Sequence, residues 1–148
     1  MVSFELSEEE RMVQQVAHEF AKKEIRPVAA YYDEHEEVPY DVIKKAAGLG
    51  FGVSKAGSVL DGAASSLIPS ILSEELSWGC AGIALAINSS GLAGAAIMAT
   101  GSPEQREEWM ARISSDENEV HLGAMCLTEP DAGSDVANIQ TTATRDGD

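Results

Sequence analysis

Residues 83–100 are almost entirely Ala, Gly, Ile, Leu and Ser, with no charged side chain among them. A helix of that composition is apolar all round and has to be central to whatever it packs into. The slightly longer run 81–100 comes closer than any other part of the chain to the length of a membrane span. Asn88-Ser89-Ser90-Gly91 interrupts its middle, so a buried helix or helix pair is the reading that follows, with no membrane span. Small residues at this density let neighbouring backbones approach closely or leave a slot between them. Composition by itself favours the close approach.

The segments before this stretch also read as helices. Ser7 and Glu10 have capping-box spacing, and Glu8, Glu9 and Glu10 place acids where a helix dipole is positive. Val13, Val16, Ala17, Phe20, Ala21 and Glu24 then recur at helical spacing, and Pro27 kinks or interrupts the helix before residues 29–33. Pro39 sets up a second helix with Asp41 in its first turn and Gly48 or Gly50 at its end. Residues 50–64 are rich in Gly, Ser and Ala and read as a surface connection. A third helix is marked by Leu67, Ile68, Ile71, Leu72 and Leu76. With Ser66 as its N-cap, Pro69 falls in the first turn, where no N–H is needed. Ser102-Pro103-Glu104-Gln105 starts a further helix through Trp109, Met110 and Ile113. His18 and His35 have no ligand-spaced partners and read as surface residues.

The period changes after the polar loop 114–119. Residues 120–128 and 139–144 are rich in β-branched side chains and read as strands. The expected organisation is a helical domain over 1–118 followed by the start of a β-domain over 119–148. Arg145-Asp146-Gly147-Asp148 has the chemistry of a hairpin turn whose return strand is absent, so the chain reads as stopping inside a hairpin. Between the two strands, Glu129-Pro130 ends the first, and Gly133 can take a positive φ that lets successive backbone N–H groups and the Ser134 hydroxyl converge on an anion such as phosphate. An ordinary corner with Asx turns at Asp131 and Asp135 is the plainer alternative. Glu129, Asp131 and Asp135 would repel phosphate unless their side chains point away.

At 148 residues the chain is long enough to bury a core without disulfides or metals. Ten basic against 25 acidic side chains give a formal charge of −15, which argues against nucleic acid or an anionic membrane as partner. Cys80 and Cys126 have no metal-ligand spacing and read as free, buried thiols in a reducing compartment. No metal site is expected, and no signal or transit peptide is seen.

The run Cys126-Leu127-Thr128-Glu129-Pro130, continuing as Ala132-Gly133-Ser134-Asp135, resembles the flavin-contacting segment of the acyl-CoA dehydrogenases. Ser73-Glu74-Glu75-Leu76-Ser77-Trp78-Gly79-Cys80-Ala81-Gly82, Gly101-Ser102-Pro103-Glu104-Gln105-Arg106 and the opening Leu6-Ser7-Glu8-Glu9-Glu10 resemble the same family at the expected places. The chain departs from the family at Ser54-Lys55-Ala56-Gly57-Ser58-Val59-Leu60-Asp61-Gly62, where a Pro-Glu-Glu-Tyr-Gly-Gly motif is usual. It departs again at Met125 and Asp131, where an aromatic and a Gly are frequent.

The resemblance implies an all-α N-terminal helical domain followed by the first strands of a β-barrel-like middle domain. It also implies FAD-dependent dehydrogenation of acyl-CoA thioesters to trans-2-enoyl-CoA. Met125, Cys126, Leu127 and Thr128 would line the isoalloxazine ring, with Thr128 hydrogen-bonded to it. Gly133 and Ser134 would lie near the FAD pyrophosphate, and Ser134 would also reach the acyl-CoA. Leu85, Asn88, Ser89 and Leu92 would face the fatty chain, the two leucines limiting depth to short- or medium-chain groups. The catalytic glutamate would lie beyond the chain end, so this chain alone is expected to be inactive. An electron-transferring flavoprotein as electron acceptor, a homotetramer, and a bacterial or archaeal cytoplasm or the mitochondrial matrix complete the expectation. An acyl-CoA oxidase and a non-catalytic helical acyl or interaction module are the alternatives.

Overall fold

The computed structural model describes residues 5–53 and 67–147, and among them seven α-helices form. Helix α1, Glu8–Phe20, starts from the expected capping box. The Ser7 hydroxyl accepts from the Glu10 N–H at 3.2 Å, and the Glu10 carboxylate accepts from the Ser7 N–H at 2.6 Å. The helix widens into a π-helical turn, Ala21–Ile25, where the Arg26 N–H donates to the carbonyl of Ala21 five residues back, at 2.8 Å. Pro27 has no N–H with which to continue, and α2 starts afresh at Ala29–His35.

Helix α3, Tyr40–Gly48, buries Val42, Ile43, Ala46 and Ala47. Its end is a Schellman motif. Gly50, at φ 76°, donates to Ala47 at 3.0 Å, and Phe51 donates to Ala46 at 2.9 Å while its ring enters the core. Beyond Val53 the expected connection, the departing stretch 54–62 and the Ser66 cap lie outside the described residues. Helix α4, Ile68–Gly79, has Pro69 in its first turn as anticipated. Helices α5, Ala81–Asn88, and α6, Ser90–Thr100, are the expected pair, and α7, Pro103–Ile113, begins with a second capping box in which Ser102 and Gln105 exchange bonds of 2.9 and 3.2 Å.

One core unites α1, the π turn, α3, α4 and α5 through Phe20, Ile25, Ile43, Leu72, Leu76, Ile83 and Ile87. The Phe20 and Phe51 rings meet edge to face, 5.5 Å apart. Gly79 lets the end of α4 approach the π turn. A Cβ there would lie 2.9 Å from the Ile25 Cβ and 3.2 Å from the Ala21 Cβ.

Two expectations are corrected, and the strands are left unconfirmed. No strand forms over 120–128 or 139–144 among the described residues; the only bridge is the isolated pair Glu129 and Ala132. Each run has the composition of a strand, but neither has another run alongside to complete a ladder. The apolar helix pair is central on one side only: α6 buries Ser90, Ala93 and Gly94 and leaves Leu92 and Met98 exposed, because α7 covers a single face. The stretch Ala81–Thr100 is long and apolar enough to cross a membrane by length and composition alone, with 33% of its most apolar window buried. Cys126 is exposed rather than buried, since nothing packs over its segment, while Cys80 is half-buried; both are free.

Candidate functional site

Ser89 joins α5 to α6 with helical backbone angles of −56° and −40°, so the helical register runs on across the junction. Leu85, Asn88, Ser89 and Leu92 therefore share one face at spacings of three and four residues. Leu85 is 65% and Leu92 55% exposed. The two polar members bond back to their own helix: the Asn88 amide donates to the Ala84 carbonyl and the Ser89 hydroxyl to the Ala86 carbonyl, each at 3.0 Å. What this face presents is uncharged, with one donor of each polar side chain turned back onto its own helix.

The opposite side of α6 holds the segment that follows the helices. Ser90 is 4% exposed, and its hydroxyl accepts from the Gly123 N–H at 2.9 Å and donates to the His121 carbonyl at 3.5 Å. The Ser115 hydroxyl grips the same residue, donating to the His121 carbonyl and accepting from its N–H, both at 3.0 Å. Gly123 sits so close to α6 and α7 that a Cβ would lie 3.0 Å from that of Ala93 and 3.2 Å from Ile113 Cγ2. Between these anchors, Asp116 caps its own loop by accepting from the Asn118 and Glu119 N–H groups at 2.8 Å.

Past this anchor Met125, Cys126, Leu127 and Thr128 are all exposed. Neither the Thr128 nor the Ser134 hydroxyl has a hydrogen-bond partner among the described residues. The next feature is a tight turn around Pro130-Asp131, in which Glu129 and Ala132 exchange backbone bonds of 3.1 and 3.2 Å. Of the two readings left open at Gly133, the positive φ is not the one adopted. A Cβ at Gly133 would meet nothing within 4 Å, so the approach to its backbone is open.

Glu129 resolves part of the charge conflict seen in the sequence. Its carboxylate accepts from the Gln140 N–H at 2.8 Å, from the Thr141 N–H at 2.9 Å and from the Thr141 hydroxyl. The Thr141 hydroxyl first, then the Gln140 and Thr141 amides, hold this carboxyl below its ordinary pKa. Asp131 and Asp135 are exposed. No group of three or more His, Cys, Asp or Glu placed to hold a metal occurs among the described residues.

Of the expected site residues, the structure gathers Leu85, Asn88, Ser89 and Leu92 on one face, while Ser90 ties His121 and Gly123, just ahead of the 125–128 segment, to α6 of the α5–α6 pair. No hydrogen bond brings Gly133 or Ser134 to that pair. One cluster escaped the sequence reading. His18 Nδ1 lies 2.8 Å from Glu75 Oε2, the Gln14 amide donates to Glu75 Oε1 at 2.9 Å, and the His18 ring packs 4.5 Å from that of Trp78. Gln14 and His18 are one helical turn apart, the only local hint of a shared partner 57 residues away for His18.

The N-terminal-domain profile of the acyl-CoA dehydrogenases matches residues 7–117, and the chain belongs to that family. It is 36% identical over 149 residues to the mitochondrial short-chain specific acyl-CoA dehydrogenase of Bos taurus, covering 99% of this chain and 35% of that protein. It is 32% identical over 147 residues to a probable mitochondrial medium-chain specific acyl-CoA dehydrogenase 2 of Caenorhabditis briggsae, with the same coverage of both. Glutaryl-CoA dehydrogenase from Mycobacterium smegmatis superposes with a TM-score of 0.79 at 32% identity, over 97% of this chain and 37% of that one. The chain thus spans about a third of the length of the relatives it matches.

Proposed function

We propose that this chain is the N-terminal portion of an FAD-dependent acyl-CoA dehydrogenase that converts acyl-CoA thioesters to trans-2-enoyl-CoA. The observation that carries the reading is the family match over residues 7–117 at a chain-wide identity of 36% to a relative of that activity. The uncharged α5–α6 face and the two unpartnered hydroxyls are compatible with it. On this reading residues 1–118 are the helical domain and 119–148 open a β-domain whose remaining strands supply the missing ladder.

Leu85, Asn88, Ser89 and Leu92 form one wall for the acyl chain, with the leucines favouring short or medium lengths. Met125, Cys126, Leu127 and Thr128 lie along the flavin ring, Thr128 donating to or accepting from it. Gly133 and Ser134 approach the pyrophosphate through open backbone, and Ser134 also contacts acyl-CoA. FAD, when bound, supplies the acceptor for the hydride that leaves the β-carbon. The α-proton goes to a base outside these residues, since none of the acids present matches the motif of the family's glutamate. An electron-transferring flavoprotein receives the electrons, the full protein is a homotetramer, and it works in a bacterial or archaeal cytoplasm or a mitochondrial matrix.

The test compares the complete gene product with the 148-residue chain, using a short- or medium-chain acyl-CoA and an artificial electron acceptor. The complete protein should be yellow and active, whereas the chain alone should bind FAD weakly and not turn over. Thr128→Val, nearly isosteric, should weaken flavin binding or slow flavin reduction by about tenfold. A complete protein that stays colourless after incubation with FAD ends the dehydrogenase reading. Robust turnover by the chain alone would mean that the base lies within it.

A further inference from the structure

The segment proposed to meet pyrophosphate and acyl-CoA hangs between two places where the chain is held. At one end Glu129 and Ala132 exchange backbone bonds around Pro130-Asp131. At the other, the short 3₁₀ turn Val136–Asn138 leads into Gln140 and Thr141, whose N–H groups end on the Glu129 carboxylate together with the Thr141 hydroxyl. One oxygen takes the Gln140 amide and the other takes both Thr141 donors. The arrangement therefore uses the whole width of the carboxylate and leaves it poorly placed to receive a substrate proton.

Resting on the proposed function, we infer that Glu129 is a positioning residue: its carboxylate closes residues 129–141 into a loop and so sets where Ser134 stands relative to the 125–128 segment. Without it, no hydrogen bond or ion pair joins residues 133–141 to the chain before residue 129 among the described residues. Opening the loop releases chain entropy that a ligand would then have to remove on binding. The cost should therefore fall on affinity and on KM rather than on the reacting step. The depressed pKa of the carboxyl agrees with this geometry, since each bond prefers the charged acceptor.

Three variants of the complete gene product test the idea. Glu129→Gln keeps size and one oxygen but turns an NH₂ group toward a donor. Glu129→Ala removes the acceptor, and Thr141→Val removes a single hydroxyl donor. In flavin-free protein, amide hydrogen exchange at Gln140 and Thr141 should accelerate by about tenfold in Glu129→Gln and by less in Thr141→Val, with helix amides unchanged. In flavin-loaded protein KM for acyl-CoA should rise by several fold while kcat at saturation holds. Unchanged exchange at Gln140 and Thr141 in Glu129→Gln overturns the proposal. So does a collapse of kcat at unchanged KM, which would make Glu129 an acid–base group. If the glutamate variants fail to fold, the exchange in Thr141→Val decides. A wild type that neither binds FAD nor turns over acyl-CoA sinks the functional reading, and the exchange measurement still judges the loop.

Discussion

Three donors converge on the Glu129 carboxylate, and that makes its ionisation a local stability switch. The folded-state pKa lies below the ordinary 4.5, so the charged form is favoured by folding. This contribution is present in full above the unfolded value and is lost as the pH falls through the depressed folded value. A carbonyl-detected NMR titration should find Glu129 titrating below the ordinary 4.5, and titration at or above that value would show that the bonds do not persist in solution. The caps at Ser7 and Ser102 could be read from the sequence because each partner stands three residues away. The Glu129 partners, eleven and twelve residues on, and the His18–Glu75 pair could not, because side chains so far apart meet only through the fold. Gly133 left two readings open for a simple reason: glycine permits a positive φ but does not require one.

Among elements, the crossing of α4 over the π turn is the most tightly determined. Gly79→Ala would push a methyl against Ile25 and Ala21 at under 3.3 Å, and both belong to the main core. The expected loss is about 1–3 kcal/mol, measured by urea denaturation. A stability equal to wild type would mean that the π turn relaxes freely. Helix positions were largely legible because the apolar period and the cap chemistry are both local. The position of Pro27 likewise foretold the break before α2. The strands were legible only as composition, since a ladder consists of bonds to a second strand that none of these residues provides. The face of α6 was misjudged for a related reason. An apolar sequence records that a surface is to be covered, and it is silent on which element covers it.

At the scale of the molecule, the exposed leucines of α5 and α6, together with Leu122, Met125 and Leu127, leave apolar surface on a chain of formal charge −15. Apolar attraction and like-charge repulsion then oppose each other between copies. Added salt shortens the screening length to about 3 Å at 1 M, which weakens only the repulsion. The 148-residue chain should thus be monomeric at low ionic strength and associate as salt is raised, as followed by sedimentation velocity. Association that weakens with salt would show that charge pairing rather than apolar contact joins the copies. The Ser90 hydroxyl, buried and shared between Gly123 and His121, bears on how such proteins can be recombined. A chimera that exchanges α5–α6 for the equivalent helices of a relative cuts through those two bonds unless residues 114–123 travel with them. The smallest exchangeable block is therefore not the helix pair but the helix pair with its trailing loop. Point changes at Ser89 or Leu92 should likewise be chosen in combinations that leave the register of Ser90 untouched.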